Sequence, residues 1–219
     1  MKIVSITVCR KGSVRIPNKT WEKINGKSLI ERKIDQLKNV RLIDEVIVGS
    51  NDSEVNELCN DKSVTYIERP EYFCNESKCT PNEMIKNMIS YVDADIIVWA
   101  HLTNPFINEV HYSNAINLFL NNQREYNSLF SVVELKEHFW NTNRTPINHN
   151  PWSKVHVVAK DLQPIYKQNG GIFIQHKKDM LAHGQFVGNK PFMYVMDEKE
   201  GWDLDYPWQI EAARSFGFE

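Results

Sequence analysis

A twelve-residue stretch near the amino terminus, C-R-K-G-S-V-R-I-P-N-K-T (residues 9–20), gathers Arg10, Lys11, Arg15 and Lys19 around the turn Gly12-Ser13. A small Gly-Ser turn lets backbone N–H groups approach an anion, and four cations offset the charge of a nucleoside triphosphate. The spacing is not that of a P-loop, which requires G-x-x-x-x-G-K-[ST]. An exposed basic loop is the plain alternative. At the other end of the chain, Asp203-Leu204-Asp205 places two carboxylates two residues apart. In an extended segment both point the same way. Paired carboxylates beside phosphates suit Mg²⁺, which binds through one or two carboxylates, phosphate oxygens and water. A D-x-D also suits a solvated loop, or a cap in which Asp205 starts the final helix. A third feature is Asn169-Gly170-Gly171, preceded by Lys160 and Lys167. It reads either as a turn or as a close backbone approach to a ligand, with the lysines holding a carboxylate or phosphate.

These residues need elements to position them. Ile and Val enrichment predicts strands over 2–8, 45–49, 63–67, 95–100, 128–135, 171–174 and 192–196. Apolar residues at helical spacing, with cap residues ahead of them, predict helices over 28–38, from Asn51 or Asp52 through about Cys59, and over 81–91, 109–121 and 207–215. Ser28 and Thr80 are the expected caps of two of them. The run I-I-V-W-A is apolar on both faces, as a strand covered on both sides must be. Alternating strands and helices imply a mainly parallel sheet with ligands at the carboxyl ends of its strands. That rule points to residues 9–19, 49–52 and 101–104. Residues 136–163 lose the rhythm. Their Phe139, Trp140 and Trp152 favour burial against something, such as a second subunit, so we expect an inserted arm or flap.

With 219 residues, the chain is expected to form one domain over 1–219 that folds without a disulfide or metal. The 26 Lys and Arg against 28 Asp and Glu exclude a dedicated nucleic-acid binder, which needs a basic excess. The longest apolar run, residues 96–100, is far short of the roughly 20 residues of a membrane span. Residues 3–9 are followed by Arg10 and Lys11 in place of a cleavage site, so they read as a buried strand and not a signal peptide. Cys9, Cys59, Cys74 and Cys79 are sparse and complete no zinc pattern. Free thiols in a reducing cytoplasm are expected.

The motifs, taken together, resemble a family. C-R-K-G-S-V-R-I-P-N-K is similar to the signature P-A-R-x-G-S-K-x-I-P-x-K-N of the acylneuraminate cytidylyltransferases, or CMP-sialic acid synthetases. Relatives in that family activate 3-deoxy-octulosonate, pseudaminate and legionaminate. I-N-G-K-S-L-I, S-N-D-S-E-V, E-R-P-E-Y-F, H-L-T-N-P-F, K-Q-N-G-G-I-F-I and W-D-L-D-Y-P-W-Q-I-E-A-A follow in the family's order. The resemblance implies a three-layer α/β nucleotidyltransferase fold and a homodimer joined by the inserted arm. It implies CTP and a sugar acid as substrates, CMP-sugar acid and pyrophosphate as products, and Mg²⁺ as cofactor. It further implies Cys9, Arg10, Lys11, Gly12, Ser13, Lys19 and Thr80 as nucleotide-binding residues, and Asp203 and Asp205 as metal ligands. Arg10, Lys19 and Asp205 become the expected catalytic residues. His101, Thr103, Asn104, Lys160, Lys167, Asn169 and Gly170 become the expected sugar-acid-binding residues.

The departures from the family pattern fall unevenly. Thr20 replaces an Asn, Val14 a Lys, and Asn51 a Thr. His101 stands for a Gln, Asn104 for a Ser, Ile107 for an Arg and Lys167 for an Arg. Ala159 falls near a second such Arg, with Lys160 beside it, and Gln209 replaces a third acid. The phosphate loop and the acidic pair survive while the acceptor pocket is rewritten. Exchanging Arg for Lys gives up a bidentate fork for a point charge. We therefore expect an active cytidylyltransferase whose acceptor is not ordinary N-acetylneuraminate. The alternatives are a 3-deoxy-octulosonate-type or other sugar nucleotidyltransferase, and a non-catalytic nucleotide-binding homologue. The intact D-L-D pair favours an enzyme.

Overall fold

The computed structural model describes residues 1–216. Among the described residues, nine strands and seven α-helices run in the order β1 (Ile3–Val8), β2 (Lys23–Ile24), β3 (Lys27–Ser28), α1 (Leu29–Lys38), β4 (Glu45–Ser50), α2 (Ser53–Lys62), β5 (Thr65–Glu68), α3 (Glu71–Cys74), α4 (Pro81–Ser90), β6 (Ile96–Trp99), α5 (Glu109–Asn121), β7 (Ser128–Leu135), β8 (Ile165–His176), α6 (Lys177–His183), β9 (Pro191–Met196) and α7 (Pro207–Ser215). Seven strands form one sheet in the order β5-β4-β1-β6-β8-β7-β9. In that sheet β8 runs against both neighbours and the other pairings are parallel; β2 and β3 form a separate antiparallel ribbon.

Strand alternation sorts the core into layers. Ile3 of β1 with Ile96 and Val98 of β6 face α1 and α5, where Leu37, Tyr112, Ile116 and Phe119 pack. Val4, Ile6, Ile97 and Trp99 face the opposite side, against Ile85, Met88 and Ile89 of α4 and Met180 of α6. Helices thus cover both faces of the sheet, the expected three-layer α/β arrangement. The caps are sequence-local. Ser28 and Glu31 form a reciprocal box at α1, Thr80 and Glu83 another at α4, and the Asp52 side chain accepts from Glu54 N at α2.

Several elements differ from the sequence expectation, among them the short ribbon β2–β3, the single-turn helix α3, strand β8 and helix α6. The strand expected over 171–174 extends over Ile165–His176, because its polar outer half pairs with β7 from Val132 to Leu135. Register shifts between Phe130 and Val132. Asn169-Gly170-Gly171 is therefore an irregularity inside a strand and not a turn before one, with Gly170 at φ +74°. The helix α6 was not expected: K-K-D-M-L-A-H buries only Met180, too little to show a period. Beyond β7 and β8, residues 136–164 form an irregular arm with a single bridge, Trp140 to Pro146. Trp140 and Trp152 touch edge to face at 6.3 Å but stay 48% and 76% exposed. Within one chain, then, the tryptophans of the arm are not buried.

Candidate active site

The carboxyl ends of β1 and β6 and the segment 201–205 enclose a cleft of about 520 Å³. It is lined by Cys9, Arg10, Ser13, Arg15, Lys19, His101, Thr103, Asp203 and Asp205, among others. The basic loop and the acidic pair, almost the full chain apart in sequence, thus face each other across one space. Lys19 Nζ donates to Leu204 O at 3.0 Å and lies 3.6 Å from Asp205 Oδ1. Arg15 Nη2 lies 2.8 Å from the same oxygen. Burial lowers the Lys19 pKa from its ordinary value, and Asp205 opposes that shift. Arg10 turns toward the far wall, donating to Cys74 O at 3.0 Å and pairing with Glu76 at 2.8 Å. Gly12 takes φ +79°, a left-handed conformation that suits glycine. Lys11 is exposed, and its backbone N–H is held by Asn51 Oδ1 at 2.9 Å. Much of the loop is exposed, and Lys11 and Gly12 do not line this cleft, whereas Arg10, Ser13, Arg15 and Lys19 do.

The two aspartates differ. Asp203 Oδ1 is buried without a hydrogen-bond partner. Burial raises the Asp203 pKa, the Thr103 hydroxyl draws it back, and Asp205 raises it further. Asp205 is not the cap of α7: that position is Tyr206. Gln209 Oε1 accepts from Asp205 N at 2.5 Å and Tyr206 N at 2.8 Å, so this amide fixes the backbone at the second aspartate. An orphaned carboxylate oxygen beside a second carboxylate fits a hard divalent cation. Among the described residues no group of three or more His, Cys, Asp and Glu gathers around a metal position. A cation here would complete its shell with phosphate oxygens and water, as Mg²⁺ does.

A second pocket of about 360 Å³ adjoins the cleft through Val8, Cys9, Arg10 and Glu76. Arg69, Phe73, Cys74, Cys79, Thr80 and Met84 complete most of its wall. Arg69 is 6% exposed; it donates to Cys9 O at 3.1 Å and Phe73 O at 2.5 Å, and its Nε is unpartnered. Close approach of Arg69 to the sheet needs Gly49, where a Cβ would meet Met88 Sδ at 2.7 Å and Arg69 Cδ at 3.1 Å. Our reading of the residues missed Arg69. The signal was present in E-R-P, a cation flanked by apolar strand and proline. Thr80 lies here, apart from the phosphate loop. The four cysteines are buried and free, and burial pushes Cys9 up to about 11, so it is an inert wall.

The acceptor residues do not all reach the cleft. His101 and Thr103 line it. Gly170 lies behind His101, where a Cβ would meet its Nδ1 at 3.2 Å. Asn104 and Asn169 point inward and are corrected here. Asn104 is fully buried and donates to Asn169 O at 3.0 Å. The Asn169 side chain accepts from Ser131 Oγ at 2.5 Å and Gly171 N at 3.1 Å. Asn104 Nδ2 and Asn169 Oδ1 bond the scaffold, because they sit where β8 breaks its ladder and the freed backbone groups need partners, while Asn104 Oδ1 is buried without a partner. Gly171 follows from Ile107, since a Cβ at 171 would run into Ile107 Cδ1. Lys167 stands exposed on the outer half of β8, close enough to Asp203 to lower its pKa. Lys160 is exposed on the arm and does not line the cleft.

His101 packs between Phe173 and Phe186, each ring 5.7 Å away. Burial, then the charges of Lys33 and Lys19, push it down to about 4. The ring is therefore neutral at neutral pH, a donor and acceptor like the amide it replaces. Between about pH 6.5 and pH 4 the unfolded chain takes up a proton here that the folded chain refuses, so stability falls as pH falls. His101→Gln should lose less melting temperature than the wild type between pH 7 and pH 4.5. An equal loss in both proteins would refute the buried neutral ring.

The chain matches the family model described as cytidylyltransferase over residues 4–205. It is 27% identical to the N-acylneuraminate cytidylyltransferase of Streptococcus agalactiae serotype V over 94% of this chain and 51% of that one. It is 22% identical to the pseudaminic acid cytidylyltransferase of Campylobacter jejuni over 98% and 95%. The chain spans about half the length of the N-acylneuraminate cytidylyltransferases it matches. In fold it is similar to a CMP:2-keto-3-deoxy-manno-octonic acid synthetase solved with CTP, with TM-score 0.71, 15% identity and 98% of each chain covered. The 4-diphosphocytidyl-2C-methyl-D-erythritol synthase of Anaerococcus prevotii gives TM-score 0.71 at 12% identity, covering 98% of this chain and 95% of that one.

Proposed function

The chain belongs to the cytidylyltransferase family, and we propose that it couples CTP to a sugar acid, giving a CMP-sugar acid and pyrophosphate. One observation carries the reading: the cationic Gly-Ser loop and the D-L-D pair face each other across a single cleft. The triphosphate lies along residues 10–19, where Arg15, Lys19 and the backbone around Gly12 meet its oxygens. The base enters the adjoining pocket, whose apolar wall suits a flat ring and whose unpartnered Arg69 Nε supplies a donor. Asp203 and Asp205 hold Mg²⁺, which neutralises phosphate charge when bound. The acceptor lies against His101 and Thr103, with Lys167 at the rim. Its anomeric hydroxyl attacks the α-phosphorus in line and gives up its proton to solvent, the α–β P–O bond breaks, and pyrophosphate leaves toward Lys19 and Arg15. Catalysis of this kind is mostly positioning and electrostatic stabilisation.

The acceptor we propose is a sugar acid other than N-acetylneuraminate. The wall offers a neutral ring at His101 and a point charge at Lys167, and Asn104 is turned away. Pyrophosphate release with CTP and Mg²⁺, measured against N-acetylneuraminate, legionaminate, pseudaminate and 3-deoxy-octulosonate, tests this. Turnover of one of the last three above N-acetylneuraminate is expected. N-acetylneuraminate at or above every other acid would overturn the acceptor assignment, and CTP binding with no turnover would favour the non-catalytic alternative.

We also propose that the arm docks on a second copy of the chain. Exposed Trp140, Trp152 and Val155 suit an interface core. Sedimentation should give a dimer that Trp152→Asp weakens, and a monomeric wild type would refute the docking.

A further inference from the structure

We propose that Lys33 is a positioning residue for the acidic pair: its buried amine fixes the segment 103–104, and that segment fixes residues 201–204. The proposal rests on reading Asp203 and Asp205 as the carboxylates that hold the metal.

Lys33 lies on the apolar face of α1 with Leu29, Ile30, Ile34 and Leu37, and it is fully buried. Lysines on amphipathic helices normally lay their stems on apolar surface and keep the ammonium in water. Here Nζ donates to Asn104 O at 3.0 Å and Tyr112 Oη at 2.7 Å, and sits 5.1 Å from the Tyr112 ring centre. Among the described residues no carboxylate pairs with it. The charged or titratable groups around it are Arg32 on α1, Tyr112 on α5 and His101 at the end of β6. An unpaired buried cation costs several kcal/mol, and a Met in the same slot would fill it without that cost. Fold stability therefore does not account for a lysine here.

What the amine holds does account for it. Asn104 donates Nδ2 to Asn169 O and has Trp202 O and Gly201 O at 3.4 Å and 3.5 Å. One residue earlier, Thr103 O accepts from Leu204 N at 2.9 Å, and the Thr103 hydroxyl lies near enough to the Asp203 carboxylate to draw its pKa down. Residues 103–104 are thus the bracket from which Asp203 and Asp205 are hung, and Lys33 bolts the bracket to α1. Burial pushes Lys33 down to about 7, so it exchanges its proton near neutrality. Both hydrogen bonds survive that exchange, because the Tyr112 hydroxyl can turn from acceptor to donor.

The test is amide hydrogen exchange on the full chain, with Mn²⁺ binding by electron paramagnetic resonance beside it. In Lys33→Met, peptides covering 201–205 should exchange about tenfold faster while β1 and β4 keep their rates, and Mn²⁺ affinity should fall about tenfold, the order seen for residues that support metal ligands. Gln36→Ala removes a neighbouring strut from α1 to Pro105 O and should leave both readouts unchanged. Should Lys33→Met not fold, Asn104→Ser cuts the same path from its other end and should accelerate the same peptides. Unchanged exchange at 201–205, or acceleration shared by β1 and β4, would overturn the proposal. A wild type that binds no Mn²⁺, with the local acceleration still present, would overturn the metal reading and leave the positioning role standing.

Discussion

Asp205→Ala should cut pyrophosphate release by about 10³-fold, the order lost when one electrostatic contact to developing phosphoryl charge is removed. Asp205 presents one oxygen to both Arg15 and Lys19, and that pairing lies at a partly exposed edge. Exposed ion pairs contribute no more than about 1 kcal/mol. In a chain of this size that is a change of about 2–4 °C in melting temperature. The variant should therefore be folded and inactive. Removing the carboxylate also frees Arg15, so CTP should still bind, and calorimetry with CTP alone checks that. Asp203→Ala should be as inactive, and it should differ in stability. Its carboxylate is raised in pKa by burial, with one oxygen unpartnered, so removing the charge takes away a desolvation cost. Melting at or above the wild-type temperature is expected. Turnover in Asp205→Ala within tenfold of wild type would refute the metal assignment.

The second large effect is at Lys19. Its ammonium is 12% exposed as a side chain, hydrogen-bonded to Leu204 O and close to Asp205. Lys19→Met should lower kcat/KM for CTP by about 10²–10³-fold, with most of the loss in kcat if the contact forms chiefly in the transition state. Leu204 O would lose a buried partner, costing about 1–3 kcal/mol of stability. Lys19→Arg keeps the charge but brings a planar fork to a slot shaped for a point charge, so recovery should be partial. A kcat/KM for Lys19→Met within threefold of wild type would remove Lys19 from the site.

The legibility of this molecule in its sequence depends on the range of the signal. Helices α5 and α7 and strand β7 have the bounds their spacing implies, because each carries its own period and ends. The cap boxes at Ser28 and Thr80 are equally local. The two halves of the cleft were recognisable because charged residues at strand ends have few structural uses. Side-chain direction was not recognisable. Asn104 lies in the loop after β6 and Asn169 inside β8, polar residues near the cleft like His101, yet Asn104 Nδ2 and Asn169 Oδ1 bond the scaffold, and nothing within ten residues of either predicts it. The pocket around Arg69 was hidden for a different reason: sulfur and aromatic walls read as core. Lys33 stood in plain view, four residues after Leu29 on the buried stripe of α1. A charged residue on an otherwise apolar face is a signal that apolar periodicity alone passes over.

The closure between Lys19 and Leu204, 185 residues apart in sequence, also constrains how the molecule comes into being. Arg214 reaches back to Glu22 and to Lys23 O across a similar span. Closing a loop of that length costs about 2 kcal/mol more than closing one a tenth as long. Contacts so distant form late, after the local βα units have assembled. On a ribosome, the sheet from β1 to β6 can stand complete while the acidic pair is still in the exit tunnel. Every nascent chain therefore passes through a stage in which the basic loop has Glu76 beside Arg10 but no acidic pair opposite Arg15 and Lys19. A chain released before Leu204 would carry β1 to β9 and the basic loop but not Asp205 on the opposite wall of the cleft.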